Sequence, residues 1–367
     1  MHRRSFMLSW VGAFSAGAPG AANLAPRSLV FPADFGAHPQ QRIEWWYLTG
    51  QLWASAAAAS VDTTAPPQFG FQVTFFRSRT QVDPAHPSRF AASQLLFAHV
   101  ALTDVEQRRM RHDQRIARTG FARAGFDPAD TNLTLHDWNL ARSGPAHMSR
   151  YATQVRSPAA AFGMRLQCEA TQPVLLQGDN GWSRKGPNAA QASLYYSQPQ
   201  LSVNGNLQLD AREIAVQGRA WLDHEWADAL LDPLAVGWDW IGMNLHDGSA
   251  LAAFRLRRAD GHTLYAGGSF RPSGGAPRID AAQSVRFTPK RWWTSPHSAA
   301  RYPVQWAIET SSGSFEVRAL LDDQELDSRA STGAIYWEGL SELLDASGRR
   351  IGLGYLEMTG YAGALRL

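Results

Sequence analysis

From residue 40 onward, apolar and polar side chains alternate with a period of two, a rhythm that suits a half-buried strand and not a helix. In FGFQVTFF, Phe69, Phe71, Val73 and Phe75 fall on one face, with Gly70, Gln72 and Thr74 on the other. LTLHDWNLAR, FGMRLQCEA, SFEVRALL and GYLEMTGY repeat the pattern at regular spacing. Turn residues punctuate it. Asp247-Gly248 and Asp260-Gly261 flank one strand, and Asn204-Gly205 in LSVNGNLQL predicts a hairpin because both residues tolerate positive φ. Helical patterns are scarce: RFAASQLLFAHVAL fits either period, and LSELLDA at 340–346 allows two helical turns at most. Many short strands joined by Gly, Asn and Asp turns define an all-β chain, built as sandwiches or barrels.

The chain has 367 residues, and at roughly 100–200 residues per domain this predicts two domains. We expect them at 31–215 and 220–367, with the change near the Asn-Gly pair and the DHEW stretch. ASAAAASVDTTAPP at 54–67 reads as a surface loop, as do 179–190 and 271–278. A hydrophobic content of 44% excludes a disordered chain. Thirty-five basic against 32 acidic residues leave a net charge of +3, too weak a field to capture a phosphate backbone, so nucleic acid is not an expected partner. The single cysteine, Cys168, excludes an intramolecular disulfide and a cysteine-based zinc cluster, and its apolar setting suits a buried small hydrophobe. Residues 1–22 combine His2, Arg3 and Arg4 with an apolar run from Phe6 to Phe14 and small residues after it. That is the build of a signal peptide, and RRSFML matches a twin-arginine export signal. No other run reaches the ~18 apolar residues of a membrane-spanning helix. The mature chain is expected to be periplasmic or secreted, with no integral membrane segment.

Fourteen Trp, nine Tyr and 17 Phe either fill two cores or line a cavity for an apolar ligand. Two groups favour the cavity. Trp45, Trp46 and Tyr47 place large rings on both faces of one strand. Trp238 and Trp240 share a face with Gly242 and Asn244, an odd core layer but a sensible pocket wall. Trp226 joins them as a candidate ligand contact. For chemistry, there is no GxSxG elbow, HExxH helix, Walker loop or GxGxxG turn, and no spacing suggests a metal site or cofactor.

Two acid/base clusters remain. PADFGAHPQQRIEWWY carries Asp34, His38 and Glu44, and AWLDHEW carries Asp223, His224 and Glu225. Alternation puts Asp223 and Glu225 on one face, His224 and Trp226 on the other. His224 is the candidate acid/base, with Glu44 or Asp239 as partner; the other reading makes His224 a structural tie between two domains. Asp34 and His38 suit a turn-stabilising role.

PADFGAHPQQRIEWWYLTGQL resembles the opening signature of the AttH/carotenoid 1,2-hydratase (CrtC-like) proteins, P-x-D-x-G-x-H-P followed by E-W-W-Y-x-T-G. GRAWLDHEW, GWDWIGMNLHDG, FRLRRADG and GLGYLEMTGY continue the likeness over residues 31–363. The resemblance implies two lipocalin-like (calycin) antiparallel β-barrels packed together, export, association with ABC transporters, and action on long apolar molecules without metal or cofactor. It also implies a catalytic His-x-Trp pair at His224 and Trp226. The Tyr and Asp that the hydratases place on the following strand fall at Phe254 and Leu256, so the acid that would protonate an alkene is missing there. The expected function is therefore an exported binder of an elongated hydrophobic ligand (isoprenoid, lipid or polyene). The alternative is a cofactor-free hydratase, isomerase or cyclase using His224, and a secreted hydrolase is more remote.

Overall fold

The structure is a computed structural model that describes residues 24–55, 64–83, 85–229 and 231–365. The expected signal peptide and most of the 54–67 insertion lie outside the described residues. Among those described, helical structure is limited to one 3-10 turn, Ala33–Phe35. The first sheet holds thirteen strands. They are β1 (Ile43–Ala54), β2 (Phe69–Arg79), β3 (Gln94–Asp104), β4 (Arg109–Arg118), β5 (Ala124–Gly125), β6 (Asn132–Leu135) and β7 (Trp138–Ser143). There follow β8 (Arg150–Ser157), β9 (Phe162–Glu169), β10 (Leu175–Leu176), β11 (Trp182–Arg184), β12 (Ala192–Leu209) and β13 (Arg212–Ala227). The second sheet comprises β14 (Ala235–Leu245), β15 (Ala250–Arg258), β16 (Thr263–Arg271), β17 (Arg278–Ile279) and β18 (Arg286–Thr294). It is completed by β19 (Arg301–Thr310), β20 (Gly313–Ala319), β21 (Glu325–Ser328), β22 (Ala334–Leu344) and β23 (Arg350–Met358). Every pairing is antiparallel. The first sheet runs β4-β3-β2-β1-β13-β12-β9-β8-β7-β6-β5, and the second β17-β16-β15-β14-β23-β22-β20-β19-β18.

Each sheet curls on itself around its own core. In the first, β4 comes back against β6, and the seam is closed by side chains: Arg115 pairs with Asp137 and lies 4.0 Å above the Trp138 ring. Trp46, Phe71, Leu102, Trp138, Leu166, Leu222 and Trp226 fill the interior. The second barrel packs around Ile241, Met243, Tyr302, Trp306, Trp337 and Leu356. The all-β architecture of two lipocalin-like barrels thus stands as the alternation and the resemblance imply.

Details differ from the sequence expectations. Residues 220–227, expected to open the second unit, complete the first sheet, and the crossing to the second falls between Ala227 and Ala235. β13 stays with the first sheet because its residues 216–227 pair with β1 and its other edge pairs with β12. Asn204-Gly205 is not a turn but lies mid-strand in β12; the chain reverses at Asp210, with φ of 55°. Gly205 serves close packing instead, since a Cβ there would stand 2.1 Å from the Arg165 carbonyl oxygen of β9. Gly248 and Gly261 do turn, at φ of 90° and 83°. LSELLDA is not helical: residues 340–344 continue β22, and RFAASQLLFAHVAL resolves into β3. Alternation across partner strands outweighs the local helical count.

Candidate functional site

Where the barrels meet, the outer faces of their central strands oppose one another around a cavity of about 320 Å³. The first barrel supplies a wall from Phe76 and Thr74 on β2, Trp45 and Tyr47 on β1, Asp223 and Glu225 on β13, and Tyr195 on β12. The second supplies Phe254 and Leu256 on β15, Trp238 and Trp240 on β14, Glu357 on β23, and Tyr336 and Glu338 on β22. In-plane hydrogen bonding makes each wall a regular lattice of cross-strand neighbours: Tyr47 sits opposite Asp223, Trp240 opposite Glu357, and Glu357 opposite Glu338.

The walls are bolted together by side chains. The Tyr47 hydroxyl donates to Glu338, the Trp240 indole donates to the Tyr195 hydroxyl at 3.3 Å, and Gln72 donates to the Tyr336 hydroxyl at 3.2 Å. His99 on β3 bonds the Tyr336 hydroxyl at 2.8 Å through Nδ1 and the Ser331 hydroxyl at 2.9 Å through Nε2. Gly242 lets Trp240 lie flat on β14, because a Cβ at 242 would meet the Trp240 ring at 2.3 Å.

Five carboxyl-bearing residues line this space, Glu44, Asp223, Glu225, Glu338 and Glu357, with Arg77 and Lys185 as the cations among them; Arg77 pairs with Glu44 at 2.8 Å. Lys185 pairs with Glu225 at 3.0 Å and lies over the Tyr195 and Phe254 rings at 4.6 and 4.4 Å. Asp223 accepts hydrogen bonds from Tyr195 (2.7 Å), Ser197 (2.5 Å) and the Trp221 indole (2.7 Å). Burial outweighs those three donors and pushes its carboxyl up to about 7. Glu338 and Glu357 have no cationic partner. Burial pushes Glu357 up to about 8, and burial, reinforced by the charge of Glu357, holds Glu338 far above the carboxylate range. These are neutral acids at neutral pH, set among aromatic rings. His99 remains neutral too, since burial lowers it to about 3.

The sequence-nominated residues divide between this cavity and the barrel interiors. Trp45, Tyr47, Trp238 and Trp240 line the cavity, and Glu44 also borders it; Trp46 and Trp226 point into the first barrel. Asn244 is a clasp between barrels: its Oδ1 accepts from the Gln200 backbone at 2.8 Å and its Nδ2 donates to the Ala220 carbonyl at 3.1 Å. His224, Glu44 and Asp239 do not converge. His224 and Glu44 meet inside the first barrel, whereas Asp239 is enclosed in the second, held by Arg255 at 2.7 Å and by the Tyr361 hydroxyl at 2.9 Å.

The two sequence clusters do come together, behind the cavity wall. His224 bonds Glu44 at 2.9 Å through Nε2 and the Tyr196 hydroxyl at 3.0 Å through Nδ1. His38 bonds Glu44 at 2.7 Å through one ring nitrogen and Asp34 at 3.0 Å through the other. Arg77 donates to the remaining Glu44 oxygen at 2.8 Å, and Arg27 donates to Asp34. His224 therefore ties β1, β12 and β13 of one barrel, not one domain to the other. Burial opposes charge on Glu44, yet the hydrogen bonds from His224 and His38 hold its carboxyl well below the usual range. Burial lowers His224 to about 4, while for His38 the bonds to Asp34 and Glu44 overcome burial and raise it. His38, Glu44 and His224 also form the one grouping among the described residues whose ligand atoms, all within 4.8 Å of one another, could hold a metal ion. Each of those atoms is already engaged in the hydrogen bonds just described.

Glu338, Glu357, Lys185, Tyr195, Tyr336 and His99 escaped the sequence reading. A usable signal was present: a lone glutamate breaks the apolar alternation in both YWEGL and GYLEM.

Fold and cavity together define a lipocalin-like two-barrel protein whose candidate ligand site is shared by both barrels. A family model for the AttH-like proteins matches residues 22–361, and the chain belongs to that family. It is similar to a crystal structure assigned as AttH from Nitrosomonas europaea, at 43% identity over 92% of this chain and 99% of that one, with a TM-score of 0.82. Kievitone hydratase from Nectria haematococca shares the fold at 14% identity, covering 92% of this chain and 94% of that one, with a TM-score of 0.65. CghA shares it at 14% identity, covering 93% and 96%, with a TM-score of 0.53. The search of curated proteins finds no match.

Proposed function

We propose that this protein binds an elongated, mainly apolar molecule in the cavity between its barrels. One observation carries the reading: a space of about 320 Å³ walled by indole and phenyl rings from both sheets, with a few polar groups to set orientation. Native mass spectrometry of the gently purified protein, followed by organic extraction, tests it. The expected result is a stoichiometric isoprenoid, lipid or polyene. An empty protein whose tryptophans are not quenched by a panel of such molecules overturns the reading.

A second reading, acid catalysis of the hydratase, isomerase or cyclase kind, is favoured by the opposed Glu338 and Glu357. The resemblance puts the alkene-protonating acid on β15, where this chain has Phe254 and Leu256; β22 and β23, facing the same cavity, carry carboxyl groups held neutral instead. A neutral buried carboxyl donates a proton where an exposed one has already lost it. The kievitone hydratase of the same fold is in keeping with this chemistry. We place the acid on this pair and not at His224, which faces away from the cavity. The extracted molecule, incubated with wild type and Glu357→Gln, distinguishes the readings: product from wild type alone, with binding retained in both, supports catalysis, and no product from either supports carriage.

Export through the RRSFML leader is part of the proposal, checked by fractionation of the native host; an unprocessed cytoplasmic chain overturns it. Association with an ABC transporter rests on the family resemblance alone.

A further inference from the structure

The cavity is built for a positive charge as well as for apolar surface. We infer that its ligand carries a cationic centre, an amine or quaternary ammonium on an apolar body, seated between the Glu338–Glu357 pair and the indole of Trp240; this rests on the cavity being the ligand site. The geometry supports it in three ways. First, carboxyl groups outnumber cations: of the five acids in the lining, Arg77 is used by Glu44 and Lys185 by Glu225, leaving Asp223, Glu338 and Glu357 without a basic partner. Second, Glu338 and Glu357 are directly opposed on adjacent strands, and Trp240 is directly opposed to Glu357 on the other side, so two carboxyls and an indole share one patch of wall. Third, Gln72, 1% exposed and in the facing wall, leaves its Oε1 without a hydrogen-bond partner, one more acceptor with no donor.

Unpaired acids in an apolar enclosure are costly unless something compensates them. A cation entering the cavity does so. It supplies the counter-charge that lets a carboxyl ionise, and it gains the attraction of the aromatic faces in a desolvated setting. An anionic amphiphile meets the opposite: repulsion from every ionised acid, while Lys185 and Arg77 are already engaged by Glu225 and Glu44.

Three probes with one tail and different heads test this: decyltrimethylammonium, decanol and decanoate, each below its micellar concentration, titrated against tryptophan fluorescence at pH 8. The ammonium should bind at least about tenfold tighter than decanol, with decanoate weakest. Glu338→Gln and Glu357→Gln should each bring the ammonium to within about threefold of decanol. Decanol binding as tightly as the ammonium, decanoate binding tightest, or an ammonium preference that survives both substitutions overturns the inference while leaving the apolar cavity intact. Binding of none of the three overturns the cavity reading and this inference with it.

Discussion

Glu357 stands on the second barrel's outer face, half-buried against the other barrel and with no base beside it. Its proton affinity in the folded state, at about 8, lies well above the usual glutamate value, so the native state binds a proton that the unfolded chain has released. Stability tied to this group is present below about pH 4.5 and is lost as pH rises towards 8, after which the loss is complete. Glu357→Gln removes that penalty. Its melting temperature should equal wild type near pH 4.5 and exceed it by several degrees at pH 8.5, a gain of about 2 kcal/mol or more. Equal melting curves at both pH values would show that Glu357 is solvated. Arg77 presents the converse. It is 1% exposed and holds a Glu44 carboxylate that is 0% exposed. Arg77→Met leaves that charge buried and should cost about 3–5 kcal/mol in chemical denaturation. His224→Ala breaks the bonds to Glu44 and Tyr196 in the same network; a loss of about 2–4 kcal/mol with unchanged cavity affinity is expected.

At the level of elements, alternation made the strands legible, and with them the face on which each side chain lies. Asp223 and Glu225 were assigned to one face of β13 and His224 to the other, as found. What alternation does not contain is which face of a two-faced strand meets the other barrel. β1 and β13 bury both faces, one in the barrel and one in the cavity, so a histidine and a carboxylate on opposite faces look equally functional in sequence. The acids on β22 and β23 were lost for a different reason: LSELL reads as a helix until its pairing with β23 is known, and the opposition of Glu338 to Glu357 is a register fact spread over 19 residues of chain. Asn204-Gly205 misled because glycine answers two needs, positive φ and close approach, and only the neighbouring strand tells them apart. Gly205→Ala should therefore act as a packing defect in a sheet. We expect a loss of about 2 kcal/mol or more, measured by denaturant melts, because the new methyl would press on the Arg165 carbonyl oxygen.

For the molecule as a whole, the barrels are separate sheets with separate cores, yet neither owns the cavity. They are joined by a third apolar cluster that includes Tyr47, Trp221, Trp240, Leu340 and Tyr355, and by hydrogen bonds that cross between them. The Gln200–Asn244 clasp lies outside the cavity: Gln200 also donates from its side chain to the carbonyls of Leu245 and Ser249, at 2.9 and 2.8 Å. Trp45, Trp221, Trp238 and Trp240 sit at the junction and the other tryptophans elsewhere, several of them in the barrel cores, so part of the indole fluorescence reports the junction, whereas far-UV circular dichroism reports the sheets. In the wild type the two signals should melt together, since pulling the barrels apart exposes the shared cluster and leaves buried donors and acceptors unpaired. Gln200→Ala combined with Asn244→Ala removes the clasp without touching a cavity residue. A part of the fluorescence change should then precede the dichroism transition by several degrees, and affinity for an apolar probe should drop with it, because half of the binding wall has moved. Coincident transitions in the double variant would mean that the apolar cluster alone holds the two barrels in register.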